Sequence, residues 1–191
     1  MPSTSGIRLV QVPPAHFLAI EGKGLPEGAA FGKAMEALLR VGEAVRSRHA
    51  AAGRNFALPL PELLVWSTPL WQLLLKVPET VRAGEVIAVR GTFHAAQREE
   101  CRGVRLVRLE EGTCLEAACN GREPGETAAT LAAKARELGT GLVDPRHEIR
   151  RPGAGTVVRQ RLAIAPAEEH KPIRHRRLRA RGVPGSWKAR A

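Results

Sequence analysis

Hydrophobic and polar positions along the chain follow two periods, and each period marks an element. Residues 16–20 alternate with a period near two and run into the turn-rich stretch EGKGLPEG, which predicts a strand and then a loop. Phe31, Met35, Leu38, Leu39, Val45 and His49 then recur at helical spacing. They predict a long amphipathic helix over about 27–52, with Gly53 as its stop. LPELLVWS and LWQLLLKV, joined through Thr68-Pro69 and ended by Pro78, read as a hairpin of two apolar strands. Residues 78–100 are ambiguous, because Val81, Val86, Ile87 and Val89 suit a strand as well as a helix.

The second half repeats this order. VRLVRLE, within 103–110, alternates as a strand with Arg outward, and Glu111-Gly112 is a tight turn. Residues 114–119 form another strand, NGREPGE a loop, and 127–138 a helix stopped by Gly139. HEIRR and TVVRQRLAIAP form a second hairpin, turned at Pro152-Gly153 and ended by Pro166. Both halves, about 7–78 and 103–166, therefore read strand, loop, helix, hairpin, Pro. The expected fold is α+β, with two strand-helix-strand-strand repeats related by a pseudo-two-fold axis. Antiparallel sheets are backed by helices, and a central cleft opens between the halves.

Charge refines the domain picture. The formal net charge is +11, but eight Lys or Arg and no acid fall in residues 170–191, which leaves +3 for residues 1–169. The body is thus only mildly basic and is read as one domain over 1–169, followed by a solvated basic extension over 170–191. Arg174, Arg176, Arg177 and Arg179 in that extension are candidates for weak, nonspecific contact with nucleic-acid phosphates. Three cysteines without a CxxC, and no His at ligand spacing, argue against a disulfide framework or a metal site. Cys114 and Cys119, five apart, fall on opposite faces of a strand as small apolar groups. No signal-peptide pattern is read at the start, and the most apolar stretch, 58–75, is broken by Pro59, Pro61, Glu62, Pro69 and Gln72. A cytoplasmic protein without membrane partner or cofactor is expected. Gly22, Gly24 and Gly28 lack phosphate-loop spacing and read as turn formers.

VPPAHFLAIEGKG, the LLVWS…WQLLLKVP hairpin, LVRLEEGTCLEAACNGREPGE and HEIRR…TVVRQ follow one another across most of residues 10–166. In that order they resemble the GyrI-like small-molecule-binding proteins of the SOUL and multidrug-effector-domain group. The resemblance implies the paired-repeat fold and a cleft that takes planar, often cationic organic molecules, to sequester or sense them. It also implies a second activity found in stand-alone relatives, hydrolysis of strained cyclopropane-bearing DNA-alkylating compounds. Many relatives carry a helix-turn-helix domain; none is expected before residue 10 here. Two features of the family are missing. Cys119, Asn120, Gly121, Arg122 and Glu123 replace a stretch that often carries His and Tyr, and Arg150 stands where HEI is often followed by Tyr.

Among candidate site residues Glu148 leads, since it matches the glutamate of the family's cleft. A half-buried carboxylate attracts a delocalised cation, and burial raises its pKa toward that of a general base for water. The structural alternative is an outward glutamate paired with Arg146 or Arg150. Trp66 and Trp71 flank the hairpin turn and either stack on a flat ligand or fill the core. Glu116, Glu21 and Arg159 are further polar candidates for the ligand wall, with a solvated face as the plainer reading. His147 points away from Glu148, its strand neighbour, so the two are not expected to act as one acid–base couple. His16 and His49 are expected to be partly buried.

Overall fold

A computed structural model describes residues 6–26, 28–153 and 155–163. The basic segment with Arg174, Arg176, Arg177 and Arg179 lies outside the described residues. The elements run β1 (Arg8–Val12), β2 (Ala15–Lys23), α1 (Ala29–Ala51), β3 (Glu62–Val65), β4 (Leu70–Val77), α2 (Ala83–Gly91) and α3 (Ala95–Glu100). They continue with β5 (Arg105–Leu109), β6 (Gly112–Ala118), α4 (Pro124–Glu137), β7 (Leu142–Arg151) and β8 (Gly155–Leu162). No described helix is long and apolar enough to cross a membrane. The fold is α+β: one eight-stranded sheet, order β1-β6-β8-β7-β3-β4-β2-β5, antiparallel at every pairing and backed by helices.

Connection lengths dictate the shape of this sheet. β1 and β2 lie six strand spacings apart in the order, yet only Pro13 and Pro14 separate them in sequence. In a flat sheet that gap would be about 29 Å at ~4.8 Å per strand. Three Cα steps of ~3.8 Å reach no more than about 11 Å. The same conflict holds for β5 and β6, joined through Glu110 and Glu111. The sheet therefore curls until its edges approach, with an inner face and an outer face. Glu111-Gly112 does turn the chain, with Gly112 at φ 66°, but it joins opposite edges of the sheet: β5 pairs with β2 and β6 with β1.

The helices cover the outer face. Buried α1 residues Ala34, Leu38, Val41, Val45 and His49 keep a three-to-four spacing and pack on Leu18, Leu73 and Leu75 of β2 and β4. Gly53 at φ 72° ends α1, and Arg54 N donates to the His49 carbonyl at 2.9 Å. Leu131 and Ala135 of α4 pack on Leu115, Ala117 and Val158 of β6 and β8. The ambiguous stretch 78–100 is helical. Glu85 accepts a bond from Arg82 N at 2.8 Å and caps α2, while Val86 and Val89 are buried and Ile87 is exposed. Capping and a one-sided contact with α1 outweigh the strand preference of the valines.

Three local readings change. β1 is an additional strand whose short alternating run the sequence pattern leaves unmarked. His49 is fully buried, with Nε2 3.3 Å from Glu85 Oε2 and its ring edge-on to Phe56, while His16 is half-buried as expected. Gly22 is no turn residue. It lies within β2 beneath the Trp71 indole, where an added Cβ would come 2.1 Å from Trp71 Cζ2.

That contact gives a stability prediction. Gly22→Ala forces the indole from its place and should destabilise the fold by about 1–3 kcal/mol, read from urea unfolding. Wild-type stability in the variant would mean that the indole does not rest on this backbone.

Candidate functional site

Among the described residues a cavity lies on each face of the sheet. The outer one, of about 660 Å³, straddles the seam where β3 meets β7. Residues opposite one another across strands share a face, so Leu63 lies beside Glu148 and Val65 beside Arg146 on its floor. Phe31 and Met35 from the first turns of α1 wall one side, and Pro124 at the start of α4 the other. The lining carries three guanidiniums, Arg122, Arg146 and Arg150, and two carboxylates, Glu123 and Glu148.

Alternation along β7 positions these groups. His147 and Ile149 point to the inner face and are buried, so Arg146, Glu148 and Arg150 point outward. Pro145 sits in a register shift between Val143 and His147, where a strand tolerates the missing N–H. Glu148 is 15% exposed at its side chain and is bound by Arg146 through one oxygen only, Nε at 2.8 Å and the terminal nitrogen at 2.7 Å from Oε1. Its Oε2 takes part in no hydrogen bond or ion pair among the described residues.

The other candidates lie elsewhere. Trp71 is 2% exposed and does not line the outer cavity; Phe31 lies between, with ring centroids 5.1 Å apart and planes at 71°. Trp66 packs on the inner face against the cluster of Phe17, Ala19, Leu64 and Leu74. Glu21 is exposed and bound by Gln72 and Arg105. Glu116 and Arg159 belong to the inner face, cross-strand partners on β6 and β8. Glu148 is thus the one named ligand candidate on the outer cavity.

The inner face holds an ion network that sequence reading missed. Glu116, 2% exposed, is met by Arg8 at 2.6 Å, Arg159 at 2.7 Å and Arg151 at 3.2 Å. Arg159 also reaches Glu111 at 3.1 Å. Glu111 lies 3.0 Å from His147 Nδ1, and Glu62 lies 2.9 Å from its Nε2, with that N–H angled off the oxygen. His147 therefore bridges β3, β7 and the connector before β6. The available signal was alternation itself: a His facing away from solvent-side arginines in β7 must face the interior.

Burial by itself would lower the His147 pKa, but the carboxylates of Glu111 and Glu62 outweigh it and hold the imidazolium above its ordinary value of 6.5. Burial pushes Glu116 and Glu111 up, and neighbouring Arg159, with His147 at Glu111 and Arg151 and Arg8 at Glu116, brings both below 4.5. Cys114 is buried, and desolvation and the Glu111 charge push its thiol up to about 11, so it stays protonated and unreactive.

These shifts fix how stability follows pH. The His147 contribution is full below its unfolded pKa of about 6.5 and is lost as pH rises through the raised folded value. Those of Glu111 and Glu116 are full above about 4.5 and are lost as pH falls through their lowered values. Urea unfolding from about pH 6.5 upward should show wild-type stability falling as His147 loses its proton. His147→Gln should lack that limb; a variant that keeps it would place the titration on another group.

Neither a protein-family model nor a curated protein sequence matches the chain. Solved structures do. The fold is similar to that of a hydrolase from Listeria innocua, at 24% identity and a TM-score of 0.69 over 83% of this chain and 92% of that one. An uncharacterized conserved protein from the same organism matches at 21% identity and a TM-score of 0.67, with the same coverage of both chains. A further hydrolase from that organism matches at 22% and 0.67. At these identities the likeness is one of fold.

Proposed function

We propose that the protein binds a planar organic molecule in the outer cavity, as a member of the GyrI-like group, and so sequesters or senses it. The observation that carries this reading is Glu148: a largely buried carboxylate with one oxygen fixed by Arg146 and the other open, on the floor of an apolar-walled cavity. Cavities of this size suit drug-sized ligands, and a few fixed polar groups on apolar walls give orientation. The strand order supports the paired-repeat reading. It is unchanged when β1, β2, β3 and β4 are exchanged with β5, β6, β7 and β8 and the order is read from the other end. Under that exchange α1 corresponds to α4, and the β3–β7 pairing over which the cavity opens maps onto itself.

The open oxygen calls for a donor, either a cation or a neutral N–H group. Because Arg122, Arg146 and Arg150 offset the two carboxylates, shape and one well-placed donor select the ligand more than net charge does. Titration with acridine orange, followed by tryptophan emission and by thermal shift, should saturate. Glu148→Gln should weaken it about tenfold, the loss of one charge-assisted hydrogen bond. Absence of saturation with acridine orange and with neutral acridine alike would remove the binding reading.

A second reading is hydrolysis of a strained cyclopropane-bearing alkylating compound, with Glu148 Oε2 activating water. Two of the structures with this fold are those of proteins called hydrolases, which is what favours it. Turnover of such a compound should fall at least 100-fold in Glu148→Gln. Equal turnover by the variant and the wild type would take Glu148 out of the mechanism.

A further inference from the structure

The inner cavity is separate from the site proposed above. It measures about 450 Å³, faces away from α1 and α4, and lies within the curl of the sheet, open on one side. Val10 and Val12 of β1, Phe17 of β2, Leu109 of β5 and Ile149 of β7 give it apolar walls. Its charged lining is unbalanced: Arg8, Lys76, Arg151 and Arg159 against Glu62, Glu111 and Glu116, with the His147 imidazolium behind the carboxylates.

The imbalance is also one of hydrogen-bond capacity. A carboxylate accepts about four hydrogen bonds and a guanidinium donates five. Glu116 already receives Arg8, Arg151 and Arg159 on its two oxygens, and Glu111 receives Arg159 and His147. Arg8 and Arg151 each engage only one nitrogen there, and their side chains are 64% and 40% exposed. Lys76 enters no ion pair among the described residues. Glu62 and Glu111 keep some acceptor capacity beside the imidazolium, but the surplus lies with the donors of Arg8, Arg151 and Lys76, which favour a ligand group that only accepts.

We propose that this cavity is a second binding site, for a carboxylic acid with an apolar body. Its carboxylate meets Arg151, Arg8 and Lys76, and its body rests on Phe17, Val12 and Leu109. The apolar wall separates this ligand from inorganic phosphate, which has nothing to place there. The excess of cations separates it from an amine of the same shape.

Calorimetric titration of the full chain with benzoate, inorganic phosphate and benzylamine tests the assignment. Benzoate should bind saturably, at least tenfold tighter than either comparator. Lys76→Gln, at an exposed position, should weaken benzoate about tenfold, and so should Arg151→Gln if its thermal unfolding stays cooperative. Glu148→Gln should bind benzoate as the wild type does, whatever its effect on the outer site. Failure of benzoate to saturate, phosphate binding as tightly as benzoate, indifference to Lys76→Gln, or a loss in Glu148→Gln equal to that in Lys76→Gln would each overturn the proposal.

Discussion

The connectors Pro13–Pro14 and Glu110–Glu111 are the constraint on which the rest depends. Each is too short to cross a flat sheet of this strand order, so the sheet closes on one of its faces. Closure divides the chemistry of the protein in two. The inner face becomes a confined space in which charge must be paired. The outer face remains broad, and two helices on separate halves cannot cover all of it. The uncovered strip lies over the β3–β7 seam, and there the outer cavity opens.

Confinement explains the network around Glu116. An isolated carboxylate there would carry a desolvation penalty of several kcal/mol, and its pairing with three guanidiniums offsets it. The network also crosses elements far apart in the chain. Glu62 comes from β3, His147 from β7, Arg159 from β8, Glu111 from a connector and Arg8 from the edge strand. A different curl or register would leave at least one of these charges buried without a partner. Such a state is destabilised by several kcal/mol, so the network favours one pairing of strands over its neighbours.

Apart from β1 and the stretch 78–100, the elements were legible in the sequence because their signals are local. Apolar spacing marked α1, Gly53 its end, and strand-like runs joined through Pro-containing turns marked both hairpins. Pairing was not legible to the same degree. Glu111-Gly112 looks the same whether it closes a hairpin or hands the chain from one edge of the sheet to the other, since turn chemistry fixes only local dihedrals. For the same reason Glu116 and Arg159 were recognisable as polar residues in strands, but not as partners 43 residues apart on an enclosed face. Glu148 could be placed on its face of the sheet by alternation along β7. Trp71 could not, because an indole beside a cleft and an indole one layer beneath it share one sequence pattern; Phe31, 40 residues earlier, decides between them.

Glu116 and Glu148 show that two poorly exposed carboxylates can differ in what they leave open. Both are glutamates in the C-terminal half of the sheet, and both are poorly exposed at the side chain, 3% and 15%. Glu116 has both oxygens taken by guanidiniums, and a ligand would have to displace an arginine to reach it. Glu148 has one oxygen taken and one open, and the bond to Arg146 makes the open oxygen more useful by fixing its direction. Orientation prepared before binding lowers the entropy that binding must remove. Glu148, over the seam, therefore keeps a directed acceptor, while Glu116, fully satisfied, holds the inner face in register.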